Sequence, residues 1–270
     1  MQKTYLMIVL AGLIAAGCAS KSTIRPGDTL EEAFQKSMML YEDERYSDAT
    51  QAFETVLSIG RGTQTARDAQ YYLAESYYNS RQYLIAATEY NRYATNYPRS
   101  ERRNEAEYKE ALSYYEMSPR YNLDQTETYR AIELFQLFVQ RNPNSEYVEQ
   151  ARNNIDELRN KLAKKKYRAA ELYLRIKNYE ASAIYFGMII EQYPESRWAE
   201  QALANQIRAY VDLADNSIIA RQEERYEKAV DSYHKYLQIF PRGEHRNVAE
   251  EYYSRAMDGL SEFSEPTAGL

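Results

Sequence analysis

Few side chains in this 270-residue chain could perform covalent chemistry: it has one cysteine, Cys18, and two histidines, His234 and His245. Neither histidine stands at metal-ligand spacing from the other or from the cysteine. There is no Gly-rich phosphate loop, no nucleophile elbow and no order of Ser, His and Asp that supports a triad. The sequence therefore predicts no metal site, no bound cofactor and no enzyme activity. A lone cysteine has no internal disulfide partner, so Cys18 needs another explanation. Ahead of it stand Lys3, an apolar run from Tyr5 to Ala16, and the small residues Ala15, Ala16 and Gly17. These are the charged, apolar and cleavage regions of an export signal, too short to span a bilayer comfortably. A cysteine directly after such a segment is the thiol that bacterial processing alkylates with diacylglycerol. The stretch resembles a lipobox, with Ala15 where Leu is more usual. Residues 1–17 are read as a signal peptide and 18–29 as a lipidated linker. Cys18 is expected to carry diacylglycerol and an N-acyl chain, which together anchor a protein stably where a single chain does not.

The second set of residues with chemical potential is aromatic. Phe34, Tyr41, Tyr71, Tyr78, Tyr108 and Tyr115 recur in pairs seven residues apart, in a chain with 28 tyrosines. Tyrosine joins an apolar ring to a polar tip, which suits a groove that is wet when empty and grips an extended peptide when filled. The competing reading is interhelix packing.

The elements that must position these rings are helices. Gly and Pro number only 9 and 7, the stretches between them carry apolar residues at helical spacing, and no sustained alternation of the strand type occurs. Four prolines, Pro98, Pro143, Pro194 and Pro241, share one frame. Eight residues before each lies an aromatic (Tyr90, Phe135, Phe186, Tyr233), and twelve before each a small residue (Ala86, Ala131, Ser182, Ala229). Ala49 and Phe53 fit the frame without the proline. This is the second-helix signature of the tetratricopeptide repeat: the small residue lets two helices approach, the aromatic fills the gap to the next pair, and proline stops the helix. First helices follow with Ser37, Ala74, Ala111 and Ala170. The predicted fold is all-α, an α-solenoid of about five tetratricopeptide-like hairpins: Leu30–Ile59, Thr65–Pro98, Glu101–Pro143, Glu146–Pro194 and Arg197–Pro241. A capping helix over Glu244–Leu260 closes it. The N-terminal half is 30–143, the C-terminal half 144–260, and 261–270 is expected to be a disordered tail.

Spacing adds detail, because the prolines are 45, 51 and 47 residues apart rather than about 34. "SPRYNLDQT" is expected to separate the two helices of the third repeat, and "ADNSIIARQEER" those of the fifth. The fourth repeat has no breaker between Glu146 and Ile176, which predicts one long helix. Ser100, Ser145 and Ser196 are placed to cap the helices that follow them. Asp124, Gln125 and Thr126 are read either as a helix cap or as part of a partner-docking loop. Lys164, Lys165 and Lys166 read as a solvated face. In the groove positions of the first helices, three before and four after the small residue, the first three repeats place the six aromatics above; Tyr167 continues the row in the fourth, and the fifth places Ala204 and Val211. The ladder therefore belongs to the N-terminal half. The net charge of −6 and the absence of a basic face argue against nucleic acid.

The segments "DQTETYRAIELFQLFVQRNPNSEY", "ARNNIDELRNKLAKKKYRAAELY" and "NYEASAIYFGMIIEQYPESRWAEQAL", with the lipobox and five repeats, resemble the BamD family, lipoproteins of the outer-membrane β-barrel assembly machinery. The likeness covers nearly the whole mature chain. It implies a non-enzymatic scaffold held by its lipid on the periplasmic face of the outer membrane, and Ala19 after the cysteine is compatible with that sorting. It further implies two partners: unfolded outer-membrane proteins at the N-terminal repeats, and a BamA-type barrel protein contacted through its periplasmic domains. Alternatives at this level are another repeat lipoprotein, such as a pilotin for a pilus secretin or an envelope-division factor, and a nutrient-binding lipoprotein. The last would want Trp platforms for a sugar, and only Trp198 is available.

Overall fold

The computed structural model describes residues 24–264; the signal segment, Cys18 with the rest of the first half of the linker (18–23), and 265–270 of the expected tail lie outside the described residues. Among the described residues there are eleven helices and no strands. They run α1 (Leu30–Glu42), α2 (Tyr46–Ile59), α3 (Gln64–Asn79), α4 (Tyr83–Asn96), α5 (Arg103–Met117), α6 (Thr126–Arg141), α7 (Val148–Arg175), α8 (Tyr179–Gln192), α9 (Ala199–Asp215), α10 (Ile219–Ile239) and α11 (Arg246–Ser264). The order is five helix pairs and a terminal helix, an α-solenoid of the tetratricopeptide type.

The repeat frame explains the packing. Every small residue it marks, from Ser37, Ala49, Ala74 and Ala86 to Ala111, Ala131, Ala170, Ser182 and Ala229, is fully buried, and so are Phe53, Tyr90, Phe135 and Phe186. Each of these aromatic side chains contributes roughly 2–3 kcal/mol of burial. The helices stop where proline disfavours helical backbone in the residue before it. Tyr97, Asn142, Tyr193 and Phe240 each donate a last N–H to the carbonyl four residues back, at 2.8–2.9 Å, and then leave the helix. Three hairpins turn alike. Glu44, Arg81 and Lys177 have φ of 57°, 61° and 62°, and the next residue's N–H returns to the carbonyl of Leu40, Tyr77 or Tyr173 at 2.9 Å. Helix starts are capped by Thr29 in a reciprocal box with Glu32, by Thr63 and by Asn178.

Spacing anomalies resolve differently in each repeat. The loop 118–125 falls where the third-repeat insertion predicts it, and α7 is one 28-residue helix. The fifth repeat differs: "ADNSIIARQEER" contributes only a three-residue turn, and α10 extends to 21 residues. Its polar segment is helical because Glu224 pairs with Arg221 at 3.2 Å and Lys228 at 2.7 Å on one helix face, while Gln222 donates back to the Ser217 carbonyl. Of the expected serine caps, Ser100 and Ser145 hold backbone N–H groups only weakly, that of Arg102 at 3.3 Å and that of Tyr147 at 3.4 Å, while the Ser100 hydroxyl bonds the Tyr93 hydroxyl at 2.7 Å. Ser196 caps nothing; its buried hydroxyl has no hydrogen-bond partner among the described residues. The helix α11 continues to Ser264, four residues past the end of its periodic pattern.

The chain groups into two compact units. The first holds α1–α5 and Leu137–Val148; the second holds Ser118–Gln136 and everything from Glu149 onward. No described helix is long and apolar enough to cross a membrane.

Candidate functional site

In the first unit the six aromatics occupy one repeated pair of positions on α1, α3 and α5, and their environments fall into two classes. Tyr71 and Tyr108 are buried, at 5% and 9% exposure, whereas Phe34, Tyr41, Tyr78 and Tyr115 are half-buried. The buried pair forms a floor. Tyr71 sits edge-on to Tyr72, Tyr90 and Tyr93 at 5.4–6.3 Å between ring centres; Tyr108 stacks on Tyr147 at 4.9 Å and meets Phe138 at 5.8 Å. Among the half-buried rings Phe34 packs on Phe53 and Tyr72, Tyr41 on Tyr46 and Tyr72, and Tyr78 on Tyr83 and Tyr90. The row thus divides into rings packed below and rings partly exposed above.

Beneath the row lies a polar centre that periodicity alone does not reveal. Glu75, 8% exposed, accepts from the Tyr90 hydroxyl at 2.5 Å and from the Lys109 ammonium at 2.5 Å on the same oxygen. Its other oxygen accepts weakly from Tyr41 at 3.4 Å. Lys109 also reaches the Tyr71 hydroxyl at 3.4 Å and Glu105 at 3.5 Å, and Asn79 donates to Tyr41 at 3.1 Å. A carboxylate and an ammonium share a partly desolvated site and tie α3 to α4 and α5. Burial first, and the Glu75 charge second, push the hydroxyls of Tyr41, Tyr71 and Tyr90 well above the ordinary tyrosine range; Tyr78 is raised by burial and by Glu116. The tips are therefore neutral hydrogen-bonding groups at any physiological pH. A sequence signal existed: Glu75 directly follows the small residue Ala74, and Lys109 stands 34 positions from it, one ideal repeat.

In the second unit, Asp124 and Gln125 separate in role. Asp124 is exposed and accepts the Thr126 N–H at 2.9 Å, and bonds from Thr126 hold its carboxyl below the usual range. Gln125 is 4% exposed; its amide donates to the carbonyls of Arg120, Leu123 and Asp124 at 2.9–3.1 Å, and its oxygen accepts from Thr128 at 2.9 Å. It is the internal clasp of the loop, leaving Asp124 as the outward member. The lysine run is not one solvated face. Lys165 is exposed, but Lys164 and Lys166 are half-buried. In the fifth repeat Ala204 and Val211 are buried, so the aromatic row has no counterpart there. Among the described residues no group of His, Cys, Asp and Glu could hold a metal ion.

Helix pairs with this small-residue and aromatic frame, and an aromatic row on successive first helices, define a tetratricopeptide-type repeat protein. Residues 26–226 match the profile of the family described as "YfiO: Outer membrane lipoprotein", and the chain belongs to that family. Its curated relatives include the outer membrane protein assembly factor BamD of Rickettsia prowazekii, 26% identical across 76% of this chain and 82% of the relative. The protein of the same name from Caulobacter vibrioides is 27% identical across 77% and 70%, and that from Vibrio cholerae 23% identical across 80% and 95%.

Proposed function

We propose that this chain is a non-enzymatic scaffold lipoprotein of the outer-membrane β-barrel assembly machinery, anchored to the periplasmic face of the outer membrane by lipids on Cys18. Its first unit receives unfolded outer-membrane proteins along Phe34, Tyr41, Tyr71, Tyr78, Tyr108 and Tyr115. A BamA-type barrel protein docks through its periplasmic domains, with Asp124 and the loop clasped by Gln125 among its contacts. The observation that carries the reading is the half-exposed position of Tyr41, Tyr78 and Tyr115, one residue per repeat at the same place, over a floor that the Glu75–Lys109 pair holds rigid. Preorganised rings with neutral tips lose little entropy when they take up an extended aromatic-bearing segment. Family membership and the names of the relatives support the assembly role.

Two measurements test it. Peptides copying the terminal segments of outer-membrane barrel proteins should bind the full chain and lose roughly tenfold or more in affinity in the Tyr78→Ala, Tyr115→Ala double variant. Unchanged affinity would remove the groove from the proposal. Purification from detergent-solubilised outer membranes through a C-terminal tag should recover a large barrel protein with periplasmic domains. Recovery of a secretin or a sugar transporter instead would replace the assembly role.

A further inference from the structure

The second unit contains a cavity of about 660 Å³ with four cations in its lining, Arg120, Lys161, Lys164 and Arg197, beside Tyr121 and Asn160. Among the described residues Glu157 is the one acid that lines it. The walls are tied together by the lysines themselves: Lys161 donates to the Ser118 hydroxyl at 2.9 Å and Lys165 to the Leu123 carbonyl at 2.5 Å, which fixes the loop 118–125 onto α7. Asn160 accepts the Arg197 N–H at 3.0 Å, which fixes the turn before α9.

The cations are held by rings more than by acids. The Lys164 ammonium lies 4.6 Å from the Tyr121 ring centre and 6.0 Å from Trp198. The guanidinium groups of Arg197 and Arg168 lie 5.5 and 5.8 Å from Trp198. Aromatic faces position a cation without neutralising it. Among the described residues Arg120, Lys164 and Arg197 form no ion pair with a carboxylate, while Arg168 has Glu171. Burial depresses the Lys161 ammonium despite the nearby Glu157. The indole N–H of Trp198 is buried without an acceptor among the described residues.

Spacing points to the ligand. Lys161, Lys164 and Arg168 follow one face of α7 over about 10 Å, at ~1.5 Å of rise per residue, and Arg120 and Arg197 come from separate segments. Such a row suits several anionic groups along a chain more than one phosphate at a point of convergence. The rings of Tyr121 and Trp198 are already faced by cations, so they offer little for stacking nucleic-acid bases. We propose that this cavity binds an acidic segment of a partner protein, whose carboxylates pair with Lys161 and Lys164 on one side and Arg120 and Arg197 on the other.

Trp198 is the only tryptophan in the chain, so its emission under selective excitation reports on the site directly. Titration of the full chain with a hexaglutamate peptide at low salt should perturb that emission saturably, and added salt should weaken the binding steeply. The Lys164→Gln, Arg197→Gln double variant should bind roughly tenfold more weakly. An Arg221→Gln, Lys228→Gln control, which removes the same charge from the exposed face of α10, should bind as the parent does. Far-UV circular dichroism checks folding, and Arg197→Gln alone, at an exposed position, serves if the double variant loses helix. A flat emission, or equal affinity in the double variant, overturns the proposal. Equally tight binding of a thymidine hexanucleotide would reassign the site to nucleic acid, and displacement of hexaglutamate by an equal concentration of inorganic phosphate would reduce it to a small-anion site.

Discussion

The two units use the same repeat frame and present opposite chemistry from it. In the first, successive first helices carry rings, with the Tyr41, Tyr71 and Tyr78 hydroxyls kept protonated, and the charge beneath them is neutralised internally by the Glu75–Lys109 pair. In the second, Tyr167 is buried as Tyr71 and Tyr108 are, but the fifth repeat puts the small buried residues Ala204 and Val211 at the two positions. Cations supported on Tyr121 and Trp198 line the cavity instead. The frame consumes small and aromatic residues at fixed places and leaves the neighbouring positions open. Function is written in what is left.

The strongest way to break this contrast is Glu75→Ala. It strands the Lys109 ammonium and the Tyr90 hydroxyl in a partly desolvated site, and should cost about 3 kcal/mol, read as an earlier urea midpoint with an unchanged slope. In the second unit, Arg168→Ala removes an exposed partner of Glu171 and should cost no more than about 0.5 kcal/mol by the same measurement. Comparable losses at the two sites would mean that the first unit has no special polar centre. Next in size is overpacking of the shared frame. Ala74→Leu and Ala170→Leu enlarge fully buried contacts, one in each unit, and each should destabilise by about 1–3 kcal/mol in thermal or urea unfolding. A neutral result at either position would show that its hairpin does not depend on close helix approach.

Acid sharpens the comparison, because two carboxylates shift in opposite directions. Burial raises Glu89 of the first unit, outweighing Arg92 and Gln70, whereas a bond from Arg159 lowers Glu195 of the second. Between the unfolded value near 4.5 and its raised folded value, Glu89 binds its proton more readily in the folded chain, so its contribution to stability grows as pH falls through that window. Glu195 contributes fully above 4.5, and its contribution is lost as pH falls through its lowered folded value. Glu89→Gln should therefore make acid unfolding start at higher pH relative to its own stability at pH 7, and Glu195→Gln should delay it. Matching stability profiles from pH 7 to pH 3 would contradict both assignments. The smallest expected effect tests what the units share: Arg81→Gly and Lys177→Gly relieve left-handed backbone at equivalent turns and should each stabilise by a few tenths to about 1 kcal/mol, measured as a rise in Tm.

Particular residues show how far the sequence could be read. Ala86 with Tyr90 and Ser182 with Phe186 announced their helices because steric fit at a helix crossing admits few side chains, so identity encodes place. The segment "ARQEER" misled, since its polarity is equally that of a loop and of a solvent-facing helix, and only its paired charges tip it to helix. Ser196 offered a good cap by type, yet the helix begins beyond its reach. Gln125, read from the sequence as part of a cap or of a docking loop, is an inward clasp, because its three carbonyl acceptors come together only when the loop closes.

Repeat period, helix boundaries at the prolines, and the aromatic identity of the row followed from the chain alone, since each depends on local backbone rules or on a spacing that one helix pair imposes on the next. Which rings form the floor and which stand half-exposed was decided by tertiary structure, as was the meeting of Glu75 with Lys109 and of Lys164 with Tyr121. Burial and charge pairing depend on distances between segments far apart in sequence, and those distances exist only once the helices have packed.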